Sequence, residues 1–121
     1  MKGKFVYVAT PYAALGLDKN STSIVATRLA KDTCRIIKDA GYTPISPVLC
    51  FDGIYDEAKD REKVMKNCLD LMELCNYVYF SQHPASRNSA EMKIEKEQAS
   101  KIGLTELSFD VNLQLTPSLG L

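Results

Sequence analysis

Short apolar runs rich in valine and aromatics alternate along the chain with stretches whose apolar positions recur at helical spacing, and these mark its strands and helices. Residues 4–9, KFVYVA, are a short run rich in valine and aromatics that ends in Thr10-Pro11, the pattern of a buried strand. A polar loop, LGLDKNS, follows. A helix is predicted over about residues 22–40, with Asn20 or Ser21 available to cap it and Gly41 closing it. Val25, Leu29, Ile36 and Ala40 supply its expected apolar stripe, flanked by Ala26, Ala30, Thr33 and Ile37. YTPISP reads as a short strand bounded by proline. The segment after it, VLCFDGIYDE, reads as a loop whose mix of apolar and acidic residues suits the border of a pocket or an interface. A second helix from about Ala58 to Leu74 is marked by Val64, Cys68, Leu71 and Cys75, and NYVYF (76–80) is the next strand. The loop SQHPASR leads to a third helix, and TELSF (105–109) is the last clear strand. The tail VNLQLTPSLGL alternates weakly and fits an edge strand, an oligomer arm or a disordered end. Strands alternating with helices predict an α/β fold: a three-layer, Rossmann-like or flavodoxin-like arrangement with a parallel sheet of four to five strands and helices on both faces. The domain is expected over residues 1–110, with 111–121 as the tail.

The third helix carries a misfit. RNSAEMKIEKEQASKIG opens near Asn88 or Ser89 and closes before Gly103, and Met92, Glu95, Ala99 and Ile102 share one face of it. Glu95 thus takes a core-side position. Burying an ionised carboxylate costs roughly several kcal/mol unless it is paired, hydrogen-bonded or open to a cleft. Lys93, Lys96, Glu97 and Lys101 already supply the solvated face. The alternative is a slightly rotated helix with Ile94 and Gln98 nearer the core and Glu95 at the rim.

A length of 121 residues bounds the chain to one domain with a real core. Net charge is zero and no basic run stands out, which disfavours polymeric nucleic acid and anionic membrane surfaces as partners. No apolar run approaches a membrane span and MKGKFVYVAT lacks the form of a signal peptide, so a cytoplasmic location is the default expectation. Cys34, Cys50, Cys68 and Cys75 form no CxxC pair, and His83 has no Cys or His at ligand spacing, so no metal site is expected. Cys34, Cys68 and Cys75 read as small core hydrophobes.

Ligands of open parallel sheets bind at the carboxyl ends of the strands. Three loops reach that edge: Thr10, Pro11 and Tyr12; Ser46 to Asp56; and Ser81 to Ser89. Ser89 and the backbone N–H groups opening the last helix suit an anion, with Arg87 as a charged neighbour. A capping box of Asn88 and Glu91 accounts for the same residues without a ligand. GxGxxG, GxxxxGK[ST] and GxSxG segments are all missing, and His83 is the single histidine. Carboxylate chemistry is the more plausible enzymatic route.

YVATPY, GYTPISPVL, CNYVYF and SAEMKIEKEQASKIG together resemble the nucleoside 2-deoxyribosyltransferase-like family, which includes deoxynucleoside monophosphate N-glycosidases and uncharacterised bacterial and phage relatives. The resemblance covers about residues 4–104. Its most specific part is a motif S-x-G-M-x-x-E followed by a small residue, matched here by Ser89, Met92, Glu95 and Ala99. The resemblance implies that Glu95 is the nucleophile toward the anomeric carbon of a nucleoside or nucleotide. It also implies that Ser89 holds a 5′-phosphate or sugar hydroxyl, that Tyr7, Thr10, Pro11 and Tyr12 line the base or sugar pocket, and that Ser46 and Pro47 shape its floor. A homodimer or larger homo-oligomer is expected on the same basis, and no cofactor. Three positions depart from the family pattern. Glu91 stands at the Gly of the motif, Cys68 where active relatives carry a helix Asp, and Asn76 where an Asp opens the third strand. A phosphate is disfavoured beside Glu91 unless that side chain turns away to cap the helix. Asp70 lies about 200° around the helix from Cys68, so Asp52 or Asp56 of the acidic loop is the candidate for a substitute acid. A catalytically impaired binding or protein-interaction module of the same fold is the competing reading.

Overall fold

Alternation along the first strand, β1 (Phe5–Ala9), sets the layers of the molecule. In the computed structural model, which describes residues 3–56 and 58–118, Val6 and Val8 turn to one face of the sheet and pack with Ile37, Tyr79 and Leu107. Tyr7 and Ala9 turn to the other and pack with Val64, Cys68, Met72, Val78, Met92 and Ala99. The rest of the chain follows as α1 (Lys19–Asp39), β2 (Thr43–Ile45), α2 (Pro47–Phe51), α3 (Arg61–Met72), β3 (Tyr77–Phe80), α4 (Ala90–Ile102), β4 (Thr105–Phe109) and β5 (Leu115–Pro117). Short 3-10 turns at Ala13–Leu15 and Pro84–Asn88 follow β1 and β3. Ile37 brings α1 to one face of the sheet, while α3 and α4 cover the other. The result is the three-layer α/β fold that the alternation of elements predicts.

The sheet runs β2-β1-β3-β4-β5, with Tyr7 opposite Ile45 on one side and Val78 on the other. β1 to β4 are parallel; β5 is antiparallel to β4, with Ser108 opposite Thr116. The tail therefore supplies an edge strand, antiparallel to its neighbour because a tight connection can only reverse the chain. Asp110 shapes that reversal. Its Oδ1 accepts from the backbone N–H groups of Asn112 and Gln114, both at 2.9 Å, and Leu113 takes a positive φ of 59°. Residues 119–121 of the tail, like Met1 and Lys2, lie outside the described residues. Both edge strands are three residues long and each contains a proline, Pro44 in β2 and Pro117 in β5.

Three local expectations need correction. Helix α1 starts earlier than expected and is capped by Asp18, whose Oδ1 accepts from Ser21 N at 2.9 Å, in place of Asn20 or Ser21. Its buried residues are Thr22, Ala26, Ala30 and Ile37. Relative to the stripe of Val25, Leu29 and Ile36, that face is displaced by one residue, a rotation of about 100°. Small side chains let the helix lie close on the sheet, and Ile36 is left 48% exposed. Next, the segment after β2 is partly helical: Ser46 Oγ caps α2 by accepting from Leu49 N at 3.2 Å, with Pro47 at its first position. On α3 the inward residues are Val64, Cys68 and Met72, Leu71 being only partly buried.

α4 keeps the expected rotation. Met92, Glu95 and Ala99 are buried, whereas Ile94 is 44% exposed; Ile102, expected on the buried face, is exposed in the last turn of the helix. Ser89 fixes its start, accepting from Met92 N at 3.1 Å. Gly103 ends it in the left-handed region at φ 77°, where a side chain would be strained. The capping box of Asn88 and Glu91 is not formed: Ser89 is the cap, and Glu91 pairs elsewhere.

The rotation of α1 is checked by substitution. Ala26→Leu overpacks the face against the sheet and is expected to cost about 1–3 kcal/mol. Ile36→Gln, on the exposed flank, is expected to stay within about 0.5 kcal/mol. Urea unfolding of both variants measures the difference, and equal costs would contradict this rotation.

Candidate active site

The strand order places a switch point between β1 and β3, since the chain leaves β1 through α1 to β2 on one side and reaches β3 on the other. A crevice opens at the carboxyl ends of the strands at such a point. Here it is a cleft of about 720 Å³ including its open mouth. Thr10 and Tyr12 border it after β1, Pro47, Phe51 and Asp52 after β2, Arg61, Val64 and Cys68 from α3, and Glu91 and Glu95 from α4.

Glu95 is 5% exposed and still lines the cleft. The Tyr7 hydroxyl donates to its Oε2 from the middle of β1, 88 residues away in sequence. Strand alternation makes this contact possible, because it points Tyr7 toward α4 and Val6 and Val8 away from it. Burial pushes the Glu95 carboxyl up from 4.5 to about 7; the Tyr7 hydrogen bond opposes the rise, and the Glu91 carboxylate adds to it. Burial, then the Glu95 charge, then Cys68 hold the Tyr7 phenol well above its ordinary value of 10.0. Tyr7 consequently stays a donor across the range in which Glu95 titrates. A carboxylate that changes charge near neutrality inside a cleft is a group suited to nucleophilic or acid–base work.

Two further polar groups face the cleft in different states. The Asp52 carboxylate is held from both sides: Tyr12 Oη donates to Oδ1 and Ser23 Oγ to Oδ2, each at 2.8 Å. Thr10 Oγ1 is buried with no hydrogen-bond partner among the described residues. Asp56 is engaged otherwise. It accepts from Ala58 N, Lys59 N and Lys19 Nζ, contacts that lower its pKa from 3.8, and it stands outside this cleft.

The structure thus gathers Thr10, Tyr12, Pro47, Asp52 and Glu95 at one cleft. The other candidates sit behind the lining. Tyr7 reaches the site through Glu95; Pro11 is fully buried; Met92 is core. Ser46 and Ser89 are buried, their hydroxyl oxygens accept the capping N–H groups of Leu49 and Met92, and neither lines the cleft. Arg87 is exposed and outside the lining, and the charged group comes from Arg61. Phe51, Tyr55 and Arg61 are cleft residues that sequence reasoning missed. A signal was available for the first two: aromatics four apart, beginning on a helix announced by Ser46-Pro47. Their rings meet edge to face at 5.7 Å and 83°, and Asn67 Nδ2 donates to Tyr55 Oη at 3.1 Å, which fastens the pair to α3. Arg61 had no such signal, because its partner Glu91 is 30 residues away. Among the described residues no group of three or more His, Cys, Asp or Glu comes together as a metal site requires, and no helix is long and apolar enough to cross a membrane.

The α/β fold is similar to that of a solved structure, the 2-deoxyribosyltransferase of the psychrotolerant bacterium Bacillus psychrosaccharolyticus, described as a biocatalyst for nucleoside synthesis. It superposes with a TM-score of 0.51 over 95% of this chain and 99% of that one, at 14% identity, and the shared property is the fold. By sequence, residues 4–108 match the family described as "Domain of unknown function (DUF7768)", and the chain belongs to that family. No curated protein sequence matches it significantly.

The raised pKa of Glu95 has a stability consequence. The folded protein keeps a proton that the unfolded chain releases between about pH 4.5 and 7, so stability falls as pH rises through that window. Glu95→Gln carries no such proton. Its stability relative to wild type is expected to improve by roughly 3 kcal/mol between about pH 4.5 and pH 8. Urea unfolding at both pH values measures this, and a difference that does not change with pH would contradict burial of the carboxyl.

Proposed function

We propose that the protein cleaves or transfers the N-glycosidic bond of a nucleoside or nucleotide, with Glu95 as nucleophile. The observation that carries this reading is the buried Glu95 carboxyl, held by Tyr7 and opening on a cleft at the sheet's switch point. The fold shared with a 2-deoxyribosyltransferase supports it. In the first step a Glu95 carboxylate oxygen bonds to the anomeric carbon. The C1′–N bond breaks, and the base leaves with the electron pair and takes up a proton from solvent. In the second step water or an acceptor base attacks the same carbon and gives up a proton to solvent, and the bond to Glu95 breaks to restore the carboxylate. Tyr7 is a positioning residue: its hydroxyl fixes the carboxylate and spreads its charge. Thr10 forms part of the wall beside Glu95. Phe51 and Tyr55 offer aromatic surface for the base.

A binding module without turnover is favoured by one observation. Cys68, not a carboxylate, lies beside the Tyr7 phenol on the α3 wall. The two readings part in a single assay, in which deoxynucleosides and deoxynucleotides are incubated with the protein and free base is followed by chromatography. The enzyme reading expects base release that Glu95→Gln lowers by about 10³-fold or more, as loss of a covalent nucleophile does. It also expects kcat/KM to rise with pH through about 7 as Glu95 ionises in the free enzyme. Ligand-dependent thermal stabilisation without base release from any substrate would establish the binding reading instead.

A further inference from the structure

The cleft rim carries an ion pair that joins the two helices on either side of it. Arg61, the first residue of α3, donates through Nη2 to Oε1 of Glu91, the second residue of α4, and both side chains line the cleft. Glu91 precedes Glu95 by four residues, so their side chains lie on one helix face roughly one turn apart. Asp52 stands on the β2 side. Three carboxyl groups therefore surround the cleft against one guanidinium among the described lining residues, and that guanidinium is already paired. The start of α4, where a helix dipole favours an anion, is closed as well. Ser89 is buried, its hydroxyl accepts from Met92 N at 3.1 Å and its carbonyl from Lys93 N at 3.2 Å, and the first turn presents the Glu91 carboxylate.

We infer that Glu91, by neutralising Arg61 at the rim, makes this cleft select uncharged nucleosides and reject their 5′-monophosphates. The inference rests on the proposed N-glycosidic reading of the same site and names its substrate class. With its sugar at Glu95, a nucleotide brings a dianionic phosphate into a cleft that the Glu91 and Asp52 carboxyl groups also line. Like charges juxtaposed in a partly desolvated site are strongly disfavoured. An unphosphorylated sugar brings only a hydroxyl, which these carboxylates accept as a hydrogen bond. Removing the Glu91 charge reverses the balance, because Arg61 is then free to pair with phosphate.

The test is calorimetric binding of the four 2′-deoxynucleosides and their 5′-monophosphates to the full chain carrying Glu95→Gln, which prevents turnover. Affinities are compared with those of the same chain carrying Glu91→Gln in addition, and with Glu91→Ala as a second variant. Expected is a nucleoside preference of about tenfold or more before the Glu91 change. After it, monophosphate affinity rises about tenfold while nucleoside affinity moves less than about threefold, and Arg61→Met abolishes the gain. Monophosphates that bind as well as nucleosides while Glu91 is present overturn the filter and leave the N-glycosidic reading standing. A nucleoside preference that survives both Glu91 substitutions overturns the role of Glu91. If neither ligand class binds any variant, the reading of the site falls, and the filter with it.

Discussion

One hydrogen bond, from the Tyr7 hydroxyl to the Glu95 carboxyl, ties the sheet to the helix that bears the candidate chemistry. It exists only because several independent features agree. β1 must alternate so that Tyr7 faces α4, and α4 must be rotated so that Glu95 faces the sheet. That rotation is set by Met92 and Ala99 packing on the same core and by the Ser89 cap that starts the helix. A carboxyl buried this deeply needs such a partner. The fold supplies one and leaves the other side of the carboxyl facing the cleft. Position, burial and proton affinity of Glu95 are thus three aspects of a single packing arrangement.

Cleft and core share residues. Val64 and Cys68 belong both to the apolar cluster under α3 and to the wall of the cleft. The aromatic side, Phe51 and Tyr55, is carried on α2 and the turn after it and anchored to α3 through Asn67. The charged side is carried by the opposing ends of α3 and α4. The cleft therefore has an aromatic wall on one side and charged groups on the other. Such a division favours a molecule with a planar ring at one end and hydroxyls at the other.

What could be read from the sequence followed from how local each feature is. Glu95 was legible because Met92 and Ala99 sit on either side of it at helical spacing, and that periodicity survives in the fold. β1 was legible from a run of valines and aromatics. α1 misled because its larger aliphatics, Val25 and Ile36, line up at helical spacing, whereas contact with the sheet selects the smaller Ala26 and Ala30. Hydropathy weighs size, and close approach weighs the opposite. α2 was hidden because five residues are too few for a period to show. The pairs that define the cleft, Tyr7 with Glu95, Arg61 with Glu91 and Tyr12 with Asp52, are 88, 30 and 40 residues apart, and nothing local in the chain announces them. Ser89 was legible as a helix start, but its hydroxyl serves the helix itself.

The prolines of the two outermost strands bear on how copies of this protein can meet. Pro44 and Pro117 each lack an amide hydrogen, and each stands in a strand only three residues long. An added strand would find an interrupted row of donors at either margin, which blocks edge-to-edge pairing and the fibrillar growth it leads to. Contact between copies is thereby turned away from the backbone of these two strands and toward surfaces where side chains decide the fit.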